Sequence, residues 1–467
     1  MKVIGSLAII KSRSGLCIGF SYNNDKHHTK SKVNSPMTSS AQNELMTRVG
    51  PGTPAGGILR SHWQPIALTD ELPKTRSVRA VEVFGEKLVL FSNQNNELGL
   101  IGRHCAHRGA DLCYGRLEDG GLRCPFHGWL FDINGQCIEQ PAEPKDSELY
   151  KRIRQKAYPV REKNGVIFSY LGTGFPPDLP NLDCLIAPRN YSFAFKGLVE
   201  CNWLQLLEVG IDPAHASFLH RFLEDEEDTE YGLQFRDNIN NIPMTRLMRD
   251  YYRPEIKVEA TDYGHRLVTL RNLDNQGMHV RVTNQVFPNA IHIPLSSEMT
   301  LTQWHVPIDD FRSYWYAMFT SFGEPVDQAI MRKQRLELYE MPDYIPKTGK
   351  ANNYGFNAKE QKNETYTGMG YDINVHDQWA VESQGVIQDR TQETLGTSDA
   401  AILAYRKSLI RAIRNHNKDE TGNTFPPSHK LPIAIDVIAS MDDWEDAWKE
   451  ADIERRKKSS WANSNIV

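Results

Sequence analysis

Two short loops constrain this chain more than any other feature of its sequence. The first reads Cys105-Ala106-His107-Arg108-Gly109 and the second Cys124-Pro125-Phe126-His127-Gly128-Trp129, with sixteen residues between His107 and Cys124. Each loop offers one thiolate and one imidazole, and the ligand types alternate along the chain as Cys, His, Cys, His. The same inventory serves zinc fingers, but finger spacing keeps the cysteines together and the histidines together. A lone cysteine is ordinarily packing and a lone histidine an ordinary polar group; all four in this order read as a metal site. Glycines at 109, 115, 120, 121 and 128 permit the tight turns such loops need. Cys113 and Cys137 fall outside the pattern and read as small core residues.

Two matched loops can hold a pair of irons, one by two cysteines and the other by two histidines, which is the arrangement of a Rieske [2Fe-2S] centre. An electron carrier of this kind needs an acceptor, and the sequence has no flavin or nicotinamide fingerprint. Further along stand Asn202-Trp203, Glu208, Asp212-Pro213, His215 and His220. Neighbouring imidazoles with a carboxylate point to the two-histidine, one-carboxylate triad that leaves positions open on Fe(II). The spacing is awkward, because residues five apart on a regular helix point about 140° apart. His215 and His220 can share a metal only where the helix bulges or ends between them. Asp212 before Pro213 also reads simply as a helix cap followed by a first helical residue.

Composition sets the frame. With 467 residues, 40% apolar and 24% charged, the chain is an ordinary globular one of two or three domains. A net charge of -5 and a pI near 6.3 leave no basic surplus for nucleic acid or an anionic membrane. Seven cysteines are odd in number and too few for a disulfide scaffold, so reduced thiols and a cytoplasmic location are expected. No run of about 18 apolar residues occurs. Lys2 followed by Val3 to Ile10 faintly resembles a signal peptide, but Lys11 closes it early and no small-residue cleavage site follows. Ser12 to Asn43 is rich in Ser, Asn and Lys, so residues 1–45 are expected to be a disordered extension, with Met37 or Met46 as alternative starts.

The pattern predicts an α+β chain. A short helical segment from about Met46, carrying Ile58 and Leu59, leads into strands at Val78 to Phe84, Lys87 to Phe91 and Leu98 to Ile101, a small antiparallel meander. Val166 to Leu171 reads as a closing strand before a proline-rich linker at 176–180. The boundary near 175 divides a first domain, 46–175, from a second, 176–467. The second carries strands at Tyr191 to Val199, His265 to Arg271, Met278 to Phe287 and Tyr314 to Phe319. A loop-like acidic run lies at Glu224 to Glu230, and helices are expected at Asp327 to Tyr339 and Asp399 to Asn415.

From about Met46 onward the chain resembles the Rieske non-haem iron oxygenases, in which Asp-x-x-His-x-x-x-x-His supplies two iron ligands and a bridging acid; Asp212, His215 and His220 match that motif. The segment Asp377-Gln-Trp-Ala-Val-Glu382 resembles the context of the third ligand, with Asp372 and Asp389 as rivals to Asp377. Gly50 to Ala55, Asn202 to Leu219, and Glu382-Ser383 with Asp389-Arg390 look most like the phthalate dioxygenase branch, which also holds halobenzoate and phenoxybenzoate oxygenases and an aryl-ether demethylase.

The resemblance implies an N-terminal antiparallel β Rieske domain and a catalytic domain whose curved antiparallel sheet is flanked by helices, a helix-grip fold. Its cofactors would be one Rieske [2Fe-2S] cluster, held by Cys105, His107, Cys124 and His127, and one mononuclear Fe(II), held by His215, His220 and Asp377. A separate NAD(P)H-dependent reductase carrying flavin or iron-sulfur groups would supply electrons. The assembly would be a homotrimer or a pair of stacked trimers, in which Asp212 joins an iron ligand to the partner subunit's His127. Glu208, one helical turn before Asp212, is expected to lend a supporting hydrogen bond. The implied activity is that of a terminal oxygenase using O2 to cis-dihydroxylate or oxidatively demethylate a small aromatic acid such as a phthalate, a benzoate or an aryl ether. Alternatives are a Rieske monooxygenase of an amine or other non-aromatic compound, and an electron-transfer protein with a vestigial iron site. A carboxylate substrate needs a cation, for which Arg221, Arg246, Arg249, Arg271 and Arg281 are candidates; Phe218, Leu219, Val286 and Phe287 are candidate cavity walls.

Overall fold

The computed structural model describes residues 38–224, 238–239, 242–416 and 431–463. The leader-like segment and Met37 lie outside them, as does most of the acidic run at Glu224 to Glu230. Order nevertheless begins before Met46. Helix Ser40–Thr47 is closed by a capping box in which the Ser39 hydroxyl accepts the Gln42 N–H at 3.2 Å and the Gln42 carboxamide accepts the Ser39 N–H at 2.9 Å. Residues 38–45 are therefore not part of a disordered extension; a local capping signal was hidden in a Ser- and Asn-rich stretch. This helix and its successor, Pro54–Arg60, pack against helix Ala400–His416. Met46, Ile58 and Leu59 share one core with Tyr405, Leu409 and Ile413. The helical segment expected in the first domain thus packs on the second unit as well, while Arg60 ties it to Phe84 and Glu86 of the first.

The first unit is antiparallel β. Strands Val78–Val83, Glu86–Ser92, Leu98–Gly102 and Ala157–Tyr158 form one four-stranded sheet, and short strands at Arg116–Glu118, Gly121–Arg123, Leu130–Phe131 and Cys137–Glu139 form another. Cys137 is buried and Cys113 packs beside it in the small core between these sheets. A third sheet pairs Val166–Ser169 with Gln64–Leu68 on one side and Val160–Lys163 on the other.

The second unit is built on one long antiparallel sheet running Ser192–Val199, Ser313–Ser321, Met299–Pro307, Ala290–Pro294, Met278–Val286, Gly264–Asn272, Glu255–Ala260. Strand Ile435–Ala439 pairs with the first half of Met278–Val286, whose second half pairs with Ala290–Pro294. The strands at Glu255, Ala290, Met299 and Ile435 were not read from the sequence. In Met299–Pro307 polar residues stand on both faces, Thr300 and Thr302 with Trp304 on one and Gln303 and His305 on the other, and both faces are covered, so the period-2 signal carries no clean change of polarity.

Register places one set of side chains on a common face. Thr269 stands opposite Arg281, Ile291 opposite Gln303, and His305 opposite Trp315. The other face of Met299–Pro307 turns Trp304 edge-on to Phe168 of the first unit, 5.6 Å between centroids. The two units are also joined by a buried ion pair, Lys196 Nζ to Glu71 at 2.7 Å. Helix Gln328–Leu338 is capped by Asp327, which accepts from Ala329 N and Ile330 N, and helix Trp444–Lys458 covers the outer face around Val268 and Val280 through Trp448. No described helix is long and apolar enough to cross a membrane.

Candidate metal centres and their cavity

The two cysteine loops fold alike. In the first, Cys105 N donates to Ala110 O and Gly109 N to Cys105 O, both at 2.8 Å; in the second, Cys124 N donates to Trp129 O at 2.8 Å and Gly128 N to Cys124 O at 2.9 Å. The glycine four residues after each cysteine has a positive φ, +74° at Gly109 and +77° at Gly128, a backbone that side chains disfavour. Cys105 and Cys124 are buried, while His107 and His127 lie edge to face at 4.4 Å between centroids and half-exposed. Trp129 stacks on His107 at 4.4 Å and 10°.

The residues fit a two-iron cluster better than a single ion. The quartet forms a buried thiol pair and an outer imidazole pair, and no three of its donor atoms lie within 4.8 Å of one another. A tetrahedral zinc would need all four close together. His127 Nδ1 is buried without a hydrogen-bond partner, and burial, with Cys124 alongside, pushes the Cys105 thiol up to about 11. Such a pair becomes a good ligand when a cation stabilises the thiolates.

The second centre is assembled from two distant segments. Helix Trp203–Gly210 is capped by Asn202 and stops at Gly210, and one 3-10 turn, His215–Ser217, follows. That break removes the 140° difficulty: both imidazoles face the same point, their rings at 84° and 5.1 Å apart. Helix Ile373–Glu382 supplies Asp377, whose Oδ1 lies 3.2 Å from His220 Nε2 and 3.7 Å from His215 Nε2. Donors at right angles around an ion, with metal–nitrogen bonds of about 2.1 Å, would stand about 3 Å apart. Asp377 Oδ1 is buried and makes no well-aligned hydrogen bond, and the three donor atoms lie within 4.8 Å of one another, as a metal site requires. Burial raises the Asp377 carboxyl, but His220 and then His215 outweigh it and hold it below the ordinary aspartate value. The rivals are occupied elsewhere: Asp372 caps the helix through Asn374 N, and Asp389 accepts from the Thr391 N–H and hydroxyl.

Each histidine is held through its other nitrogen. His215 Nδ1 faces the carbonyl of Asp212, while the Asp212 carboxylate accepts from Ala214 N at 2.8 Å. His220 Nδ1 faces Nδ1 of His376 at 3.4 Å, and His376 Nε2 faces the carbonyl of Gly370 at 2.9 Å. Sequence reasoning missed His376, whose only signal is its place beside Asp377. Glu382, one turn beyond, is bound by Tyr354 Oη, Gln378 Nε2 and Glu200 N, which fixes the helix that carries Asp377.

Glu208 does not do what was expected of it. It is buried, and its carboxylate takes Arg390 at 2.8 Å and Arg406 at 2.6 Å, turning away from the metal donors. Arg390 also reaches Asn43 and Arg406 reaches Glu393. Burial alone would raise the Glu208 carboxyl; the two guanidiniums hold it below the usual value. It is a hub tying helix Trp203–Gly210 to helices Ser40–Thr47 and Ala400–His416.

The three donors open on a cavity of about 250 Å³ whose walls include Val209, Met244, Met248, Ile291, Ile293, Leu295 and Trp315, with Gln303, His305, Thr269, Thr283 and Arg281 among its polar members. Phe218 and Leu219, expected as walls, line an adjoining groove on the other side of His215, and Val286 and Phe287 belong to the core. Among the candidate arginines only Arg281 lines the cavity. It binds Asp436 and donates to Pro294 O at 3.0 Å. Arg271, two residues past Thr269 on the same strand face, is buried; its Nε donates to Tyr251 O at 3.0 Å, while Nη1 and Nη2 have no partner. Burial, with Arg281 beside it, pulls Arg271 down to about 10.

A β unit with paired Cys/His loops and a helix-covered antiparallel sheet with a His/His/Asp centre define an oxygenase of the Rieske class. Residues 62–159 match the Rieske [2Fe-2S] domain, and residues 189–464 match the family described as LigXa C-terminal domain like. The chain belongs to the Rieske oxygenases and is an oxidoreductase that incorporates oxygen from O2, with a [2Fe-2S] cluster and a mononuclear iron as cofactors. It is 32% identical over 430 residues to the phthalate 4,5-dioxygenase oxygenase subunit of Pseudomonas putida, covering 88% of this chain and 94% of that one. It is 31% identical over 391 residues to the 5,5'-dehydrodivanillate O-demethylase oxygenase subunit of a Sphingobium strain, covering 82% of each. In fold it is similar to the NdmA QL mutant of Pseudomonas putida CBB5 with caffeine, at a TM-score of 0.57 and 20% identity, covering 82% of this chain and 97% of that one.

Proposed function

We propose that the chain is the terminal oxygenase component of a multicomponent system that hydroxylates or oxidatively demethylates a small aromatic acid. Cys105, His107, Cys124 and His127 hold the cluster, and His215, His220 and Asp377 hold the iron. A separate NAD(P)H-dependent reductase feeds electrons to the cluster. The observation that carries this reading is the convergence of His215 Nε2, His220 Nε2 and Asp377 Oδ1, without hydrogen bonds among them, at a largely apolar cavity.

An Fe(II) held by His215, His220 and Asp377 would supply the chemistry of O2 activation. The chain's own residues do the rest. Met248, Ile291, Ile293 and Trp315 exclude water and favour a flat apolar ring. Arg281, the candidate arginine at the cavity wall, is held by Asp436, and Arg271 lies buried close enough to Arg281 to feel its charge. A substrate carboxylate in the cavity would find the guanidinium of Arg281 at its wall. Asp212 is the bridge to the partner subunit's His127: its carbonyl holds His215, and its carboxylate accepts imidazole N–H groups. An isolated protomer would then be inactive, and a trimer or stacked trimers the working form.

Iron and acid-labile sulfide per chain, with EPR of the reduced protein, test the metal assignment. The expected result is two irons and two sulfides for the cluster and one iron more; absence of the further iron after Fe(II) is added back would leave an electron carrier and sink the oxygenase reading. Substrate-dependent NADH consumption with a reductase, over aromatic acids, their methyl esters, aryl ethers and amines, tests the substrate class. Acids are expected to be preferred, and Arg281→Met is expected to lower kcat/KM for the acid by about tenfold or more, the scale of a lost charge-assisted hydrogen bond. Product analysis then separates dihydroxylation from demethylation.

A further inference from the structure

The residue that sequence reasoning passed over, His376, has a place in this centre that follows from the direction of its hydrogen bonds. It is completely buried in helix Ile373–Glu382, next to Asp377. Its Nε2 meets the carbonyl of Gly370 at 2.9 Å. A carbonyl oxygen only accepts, so the proton of the His376 ring sits on Nε2, and Nδ1 is left with a lone pair. That lone pair faces His220 Nδ1 at 3.4 Å, with the two rings 22° from parallel. His220 must then carry its own proton on Nδ1, and the lone pair of His220 falls on Nε2, the atom that faces Asp377 Oδ1 and His215.

The far end of this chain of bonds is itself fixed. Gly370 has a φ of +75°, its N–H donates to Glu360 at 2.7 Å, and the same carboxylate oxygen takes the Thr365 hydroxyl at 2.6 Å. The Gly370 carbonyl is thus held by a turn anchored on helix Ala358–Asn363. His215 needs no such relay, because the backbone carbonyl of Asp212 faces its Nδ1 directly. The two histidines are oriented by different devices, one three residues away in sequence and the other through a side chain more than 150 residues away.

We propose that His376 is a positioning residue for the mononuclear iron, setting the tautomer and ring angle of His220 by accepting a hydrogen bond from its Nδ1–H. The proposal rests on the assignment of His220 as an iron ligand. Partners of this kind orient a ligating imidazole, and their loss weakens metal binding by about 10- to 100-fold.

The test uses full-length protein with its cluster intact, depleted of mononuclear iron by mild chelation and titrated anaerobically with Fe(II). Nitric oxide added to the refilled site provides an EPR signature of its symmetry. His376→Leu is expected to raise the Fe(II) Kd by about 10- to 100-fold and to alter the nitric oxide signal, while the visible spectrum of the cluster is unchanged. His376→Asn, whose Oδ1 takes the place of Nδ1 and accepts from His220, is expected to recover most of the affinity. His376→Gln, whose polar atoms sit at the Nε2 position and reach Gly370, is expected to recover little. A His376→Leu protein with the wild-type Kd and signal overturns the proposal. So does equal recovery by the Asn and Gln variants, a contrast that stands even if the Leu variant fails to fold. A wild-type chain that takes up no Fe(II) would overturn instead the functional reading on which the proposal rests.

Discussion

The two metal centres are encoded in opposite ways. The cluster loops occupy 25 consecutive residues, Cys105 to Trp129, and their shape is set by backbone hydrogen bonds inside each loop and by one left-handed glycine in each. The iron centre draws on two helices and a broken turn separated by more than 150 residues, and its donors stay in place because a buried framework of Glu208, Arg390, Arg406 and Glu382 fixes the elements that carry them. A locally encoded site depends on chain conformation; a remotely encoded one depends on the packing of the whole second unit.

The contrast can be broken most severely at a ligand. His215→Ala is expected to abolish substrate-dependent oxygen uptake and remove one iron per chain while the reduced cluster keeps its EPR signal; joint loss of both signals would mean that the centres are not independent. Next in size is Glu208→Ala, which strands two buried guanidiniums. It should destabilise the second unit by about 3–5 kcal/mol, read as a lower urea midpoint.

The two loops then allow a finer comparison. A Cβ on Gly128 would meet Pro141 Cγ at 2.6 Å, whereas one on Gly109 would meet nothing within 4 Å. Gly109→Ala should therefore cost only the left-handed backbone, about 1–2 kcal/mol, and Gly128→Ala more, with faster bleaching of the cluster absorbance. Equal losses would show that backbone strain alone decides. The smallest effect expected is one of pH. Glu208 has a folded pKa held below its unfolded value by Arg390 and Arg406 against the opposing effect of burial. Its stabilisation is complete above the unfolded value of about 4.3 and is lost as pH falls through the depressed folded value. Acid unfolding followed by circular dichroism should have a shallower limb in Glu208→Gln.

Legibility in the sequence follows the same division. The quartet Cys105, His107, Cys124, His127 could be read because spacing is all that a local loop needs. His215 and His220 could be singled out, but spacing on a regular helix argued against them; the helix ends at Gly210, just before Asp212-Pro213, a pair that reads as readily as the start of a helix as its end. Asp377 emerged only through family resemblance, because one carboxylate among 59 acidic residues carries no local mark. His376, the Glu208 hub and the cavity walls depend on which strands become neighbours, and the polar residues on both covered faces of Met299–Pro307 concealed one of those strands. Helix Ser40–Thr47 was missed for the opposite reason: its capping box is local, but it sits in a stretch whose composition reads as disorder.

That first helix has a consequence for the order in which the protein can be made. Helices Ser40–Thr47 and Pro54–Arg60 precede the β unit in the chain, yet part of the surface they bury belongs to helix Ala400–His416, more than 300 residues later. During synthesis the β unit can close on itself, while Met46, Ile58 and Leu59 gain the Tyr405, Leu409 and Ile413 side of their core only once that helix has been made. The catalytic unit therefore cannot complete its fold one residue after another in the order of synthesis.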